Sequence, residues 1–151
     1  LVDKDSIYEI DNRRRLVLAV YFTNEALQAD EFDTIKKFAT KYKGIMNVIG
    51  VDCKKQKDIC SSHGVKSVPL FRVYPQDKSK ATVDFKGKIS IPMLEQQTIN
   101  RLENFVVKVG QRSIAGLKER ALKESKQLFI IFPTKQSTSP MFMSLSTVSS
   151  C

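Results

Sequence analysis

Apolar and polar residues follow two periods along this chain. Residues 16–22 (LVLAVYF) form a continuous apolar run rich in β-formers, the pattern of a strand buried on both faces. From Asn24 to Tyr42 the period changes. Leu27, Phe32, Ile35, Phe38, Ala39 and Tyr42 recur at about 3.6 residues, which predicts an amphipathic helix. Acidic residues lead that helix and lysines trail it, as its dipole favours, and Gly44 closes it. Residues 45–51 (IMNVIGV) predict a second buried strand. Residues 54–63 (KKQKDICSSH) predict a short polar helix with Ile59 and Cys60 turned inward, stopped by Gly64. Residues 70–74 (LFRVY) and 81–86 read as two further strands joined through a turn at Pro75-Gln76-Asp77. Residues 98–109 place Ile99, Leu102, Phe105, Val106 and Val109 on one face and predict another amphipathic helix, closed by Gly110. A short helix or extended lead-in over residues 4–12 precedes these elements.

The first 110 residues therefore read β-α-β-α-β-β-α, an α/β class. The first two connections are expected to be right-handed crossovers if their strands are parallel, and the short turn makes the last pair antiparallel. Beyond Gly110, residues 113–126 predict a helix and 127–132 (QLFIIF) a strand, while 133–151 are rich in Ser and Thr. One helix and one strand cannot enclose a core. The expected organisation is a domain over residues 1–110, followed by 111–151 as a C-terminal extension or the truncated start of a second domain of the same kind.

Composition narrows the class. A chain of 151 residues buries roughly 70% of its unfolded surface and folds without staples. With 42% hydrophobic and 27% charged residues, it does not read as wholly disordered. Nor does any run approach the ~20 apolar residues of a spanning helix. Because the chain opens on Leu1, it reads as a processed protein or an excised fragment. The 25 Lys and Arg against 16 Asp and Glu give a net charge of +9, which favours anionic partners in general. Only Arg13-Arg14-Arg15 is a tight cluster. The remaining basic residues follow helix faces without interleaved aromatics, so nucleic acid is not favoured. Membrane contact is expected only through other parts of a parent protein.

The three cysteines are Cys53, Cys60 and Cys151, with no CxxC among them, and His63 is the single histidine. That set predicts no metal site. Cys53 and Cys60 read either as two buried small hydrophobes or as a local disulfide. His63 reads as a surface or packing residue. Pro69 begins a strand, where a missing N–H is tolerated.

Val51-Asp52-Cys53, Ile59-Cys60-Ser61-Ser62-His63-Gly64-Val65 and Val68-Pro69 leading into Leu70-Phe71-Arg72-Val73-Tyr74 resemble a protein disulfide isomerase domain. The resemblance covers roughly residues 1–110. It implies a thioredoxin-like fold, a central mixed sheet flanked by helices, here with an additional C-terminal helix-strand segment. It also implies a cis bond at Pro69, with the Val68 backbone open to an extended substrate. It further implies a structural disulfide between Cys53 and Cys60 and hence an oxidising compartment, the endoplasmic reticulum lumen or another secretory space.

Aligned on the strand LAVYF, the family's WCxxC falls on Glu25-Ala26-Leu27-Gln28-Ala29. Both cysteine positions are alanine. Thiol–disulfide exchange needs an attacking thiolate and a resolving thiol, and alanine supplies neither. The family's buried glutamate is replaced by Val20, and the chain has no Trp. The resemblance thus implies a redox-inactive module with no catalytic residue and no cofactor. It would bind unfolded polypeptide or a partner protein in protein folding, as a chaperone or scaffold does. Its expected contact surface is Ala26, Leu27, Val68 and Leu70. Two other functions stay open: a dithiol oxidoreductase using Cys53 and Cys60 or other domains of a longer protein, and a basic anion-binding module. Whether Cys151 is native is also left open.

Overall fold

The computed structural model describes residues 8, 10–104, 106, 108–125, 130–132 and 139–148. Its elements are β1 (Val17–Phe22), α1 (Ala29–Lys41), β2 (Asn47–Asp52), α2 (Lys57–Ser62), β3 (Leu70–Tyr74), β4 (Val83–Phe85) and α3 (Ile91–Thr98). A 3-10 turn, Ile99–Arg101, follows α3. Two further helices are α4 (Ile114–Lys123) and α5 (Pro140–Val148).

The sheet order is β2-β1-β3-β4. β1 runs parallel to β2, pairing Val17 with Asn47 and Phe22 with Asp52. It runs antiparallel to β3, pairing Tyr21 with Leu70. β3 and β4 are also antiparallel. The fold is α/β and thioredoxin-like, a mixed four-stranded sheet flanked by helices, with further helices towards the C-terminus.

The apolar run of β1 is buried at every position, and its period of two divides it between two cores. Leu16, Leu18, Val20 and Phe22 enter a large cluster with Ile35 and Phe38 of α1, Phe71 and Val73 of β3 and Leu94 of α3. Val17, Ala19 and Tyr21 enter a smaller cluster with Ile49, Val51, Cys60, Leu70 and Tyr74. Ile10, the one described apolar side chain of the lead-in that is fully covered, closes this second cluster.

Helix α1 begins five residues later than the periodicity predicts. Thr23 holds the preceding turn, its carbonyl accepting from the Ala26 and Leu27 amides. The Glu31 carboxylate then accepts from the Gln28 N–H at 3.2 Å and fixes the helix start.

The helix predicted over 98–109 lies upstream instead. Ser90 caps α3 by accepting from the Met93 N–H, and Pro92 occupies the first turn, where its missing donor costs nothing. Leu94 and Thr98 are fully buried. The Asn104 side chain then accepts the Val106 N–H at 3.0 Å, a local turn that competes with helix continuation.

Past Gly110, the predicted helix is present as α4. Residues 130–132 of the predicted strand carry no strand, and 127–129 lie outside the described residues. The Ser/Thr-rich stretch contains α5, with Met141 and Leu145 exposed. Among the described residues no helix is long and apolar enough to cross a membrane.

Candidate functional site

Three segments meet at one end of the central strands. The loop 23–28 leaves β1 at Phe22, the turn 53–56 leaves the parallel neighbour β2, and residues 66–69 enter antiparallel β3 opposite Tyr21. This placement follows from strand direction alone. Parallel strands end together, and an antiparallel strand starts where they end.

Short bonds tie the segments. The Cys53 N–H donates to the Phe22 carbonyl at 2.8 Å. Lys54 Nζ reaches Glu25 Oε1 at 2.8 Å, joining the β2 turn to the β1 loop across the surface. Each partner shifts the other: the Lys54 ammonium lowers the Glu25 carboxyl, and the Glu25 carboxylate raises the Lys54 ammonium. Asp52 is buried and accepts from the Lys54 N–H at 2.9 Å, which shapes the turn after β2.

Within the loop after β1, Ala26 is half-buried, Leu27 is buried in the large core, and Glu25, Gln28 and Ala29 are exposed. Ala29 opens α1. Val20 is buried in the same apolar cluster. The Val68-Pro69 peptide bond is cis, and both residues are half-buried. The contact surface expected from sequence needs a correction here. Leu27 and Leu70 are both buried, so the accessible face at this end is made of Ala26, Gln28, Ala29, Val68 and Pro69.

Cys53 and Cys60 are bonded, with S–S 1.98 Å and Cα–Cα 5.7 Å. The bond clips α2 to the end of β2. A second fastening holds the other end of α2. His63, its C-cap, places Nδ1 2.6 Å from the Tyr21 hydroxyl and 3.1 Å from the Tyr74 hydroxyl. The two hydroxyls are 2.7 Å apart. Arg72 donates to the His63 carbonyl and grips both carboxylate oxygens of Asp84. Burial first, then the Tyr74 hydrogen bond, push the Tyr21 phenol far above its usual range. Burial lowers the His63 imidazole, and the Arg72 charge adds to that.

Sequence reading missed this ring cluster. His63 alone carries no signal, and its partners lie 42 and 11 residues away. The hint was Tyr21 and Tyr74 on buried strands, where a phenol requires a hydrogen-bond partner.

No curated protein matches the sequence. Among solved structures, ERdj5 in its form II crystal aligns with a TM-score of 0.68 and 18% identity, over 82% of this chain and 16% of that one. Chloroplastic thioredoxin z aligns at 0.55 and 13%, over 63% of this chain and 86% of that one. Human ERp44 aligns at 0.52 and 16%, over 63% and 30%. The chain thus spans about a sixth of the ERdj5 structure, and at these identities the likeness is one of fold. The family model that matches is thioredoxin, over residues 32–100. Sheet order and structural likeness agree on a thioredoxin-like fold, and the thioredoxin family model matches the middle part of it.

Proposed function

We propose that this domain is a redox-inactive module of a disulfide-isomerase-type protein. It holds extended polypeptide or a partner protein where β1 ends and β3 begins. The observation that carries the reading is that the loop after β1, which leads from Ala26 to Ala29, leaves the sheet at the end where Val68-Pro69 enters β3, and supplies alanines where the resemblance would need two thiols for exchange. The described cysteines are bonded to each other at the β2–α2 junction, where they fasten a helix. Similarity to the endoplasmic-reticulum proteins ERdj5 and ERp44 supports a secretory compartment, as does the disulfide, which persists in oxidising spaces. Residues 111–151 are read as a C-terminal extension of residues 1–110 or the truncated start of a second domain of the same kind, with Leu122 and Met141 exposed.

Binding of a carboxymethylated, permanently unfolded polypeptide tests the reading. The wild-type chain is expected to bind it saturably, and Ala26→Arg and Val68→Arg to weaken binding while leaving the circular dichroism unchanged. Equal binding by all three proteins, or none by the wild type, would reject the site.

A further inference from the structure

The Cys53–Cys60 bond and Val68 of the candidate site share one small packing cluster. Cys53, Ile59, Val65 and Val68 are half-buried against it, and Cys60 is buried within it. The backbone runs directly from the bond to the site. The Gly64 N–H donates to the Ser61 carbonyl at 2.9 Å, and the Val65 N–H donates to the Cys60 carbonyl at 2.8 Å. The cis Val68-Pro69 bond follows on the same stretch.

In so small a cluster each attachment of α2 counts. Its six residues cannot hold a helix by themselves. Ile59 and Cys60 face the cluster, while Lys57, Asp58, Ser61 and Ser62 are exposed. With the sulfur bond open, α2 rests on those two side chains and on the hydrogen bonds of His63. The segment 64–69 that hangs from it loses its covalent tie to β2.

The two cysteines are not equally open. Cys60 is 5% exposed. Cys53 is half-buried at the surface turn after β2, and the exposed Lys54 and Lys55 follow it. An incoming thiolate therefore meets Cys53, and the lysine charges favour its approach. A dithiol reductant supplies both steps. Its first thiolate bonds to Cys53 Sγ as the Cys53–Cys60 bond breaks, and Cys60 leaves as a thiolate that takes up a proton. Its second thiolate then displaces Cys53, which is protonated in turn. The reductant departs as a disulfide, and the two cysteines have gained two electrons and two protons.

We propose that this bond is a redox switch on the polypeptide site: the disulfide form keeps Val68-Pro69 in place and binds, and reduction by a dithiol frees α2 and releases the bound chain. The domain responds to exchange without catalysing it. The switch rests on the polypeptide binding proposed above and adds its regulation. A site left competent in about one molecule in ten binds about tenfold more weakly.

Fluorescence anisotropy of the full chain with a labelled carboxymethylated polypeptide tests it, across ratios of reduced to oxidised dithiothreitol. Alkylation and mass spectrometry count the Cys53 and Cys60 thiols at each ratio. Binding is expected to weaken about tenfold towards the reduced end, in step with the appearance of those thiols and with the circular dichroism retained. Cys53→Ala/Cys60→Ala should bind weakly at every ratio, and Cys151→Ser should follow the wild type. A response lost in Cys151→Ser would assign it to that thiol and overturn the role of the bond. Equal binding by the oxidised and reduced chain would overturn the switch and leave polypeptide binding intact. Loss of the circular dichroism on reduction would overturn it too, because the bond would then hold the whole fold. Absence of binding at every ratio would overturn the switch and the polypeptide-binding reading together.

Discussion

The face of the sheet that carries α1 and α3 is filled by aliphatic and aromatic side chains, with Phe38, Phe71, Leu18 and Leu94 fully buried. The face that carries α2 is smaller. It combines short aliphatic residues with a disulfide and three hydrogen-bonded rings. A six-residue helix cannot bury enough apolar surface to hold itself in place. A covalent clip at Cys60 and the polar anchor at His63 do what apolar volume does for α1. That second face leads directly into residues 64–69. The site therefore rests on the part of the molecule held by specific bonds, and the large core supplies the platform.

Removing volume from the first face should have the largest effect. Phe38→Ala is expected to cost about 3–5 kcal/mol in chemical denaturation, the usual loss for a buried phenyl ring. A loss below that of the disulfide variant would contradict the ranking of the two faces.

The clip comes next. Cys53 and Cys60 are seven positions apart, and closing so short a loop contributes about 2–3 kcal/mol. Cys53→Ala/Cys60→Ala should lose that amount and speed amide exchange in α2 more than in α1. Uniform exchange across both helices would show that the clip acts on the whole domain and not on α2.

Smaller still is the ring cluster. Tyr21→Phe keeps the ring and removes a hydroxyl that contacts both His63 and Tyr74. Since those two remain 3.1 Å apart, the expected cost is about 1–2 kcal/mol. The same cluster predicts a pH dependence. Burial lowers folded His63 below its ordinary 6.5, so the unfolded chain binds the proton first as pH falls. Stability is full above 6.5 and declines below it until the folded imidazole also protonates. His63→Gln should flatten this slope in thermal melts between that pH and the onset of carboxylate titration. A slope unchanged in the variant would place its origin elsewhere.

The Glu25–Lys54 pair should matter least. Both side chains are about two-thirds exposed, where ion pairs are screened and contribute little. Glu25→Gln is expected to leave the melting temperature unchanged within error, even though the pair bridges two segments of the site.

The large face was the more legible in sequence. The run 16–22 and the spacing of Ile35, Phe38 and Tyr42 carry both periods openly, and those elements stand within a few residues of their predicted limits. Where local capping competes with periodicity, the pattern misleads. Ile99, Leu102 and Val106 mimic a helix face, but Ser90 and Pro92 start the helix at Ile91, upstream of the predicted span, and Asn104 turns the chain. The site was legible as a motif around Cys53, Cys60 and Pro69. Its accessible surface was not, because the burial of Leu27 and Leu70 depends on which sheet face each enters. The Tyr21–His63–Tyr74 cluster was invisible because its rings come from β1, β3 and the end of α2 and meet only in the folded chain.

The most direct test of a binding module without exchange chemistry is insulin reduction by the full chain in dithiothreitol, run beside Cys53→Ala/Cys60→Ala. Both proteins are expected to match the uncatalysed rate. Turnover by the wild type above the double variant would contradict it and assign oxidoreductase chemistry to Cys53 and Cys60.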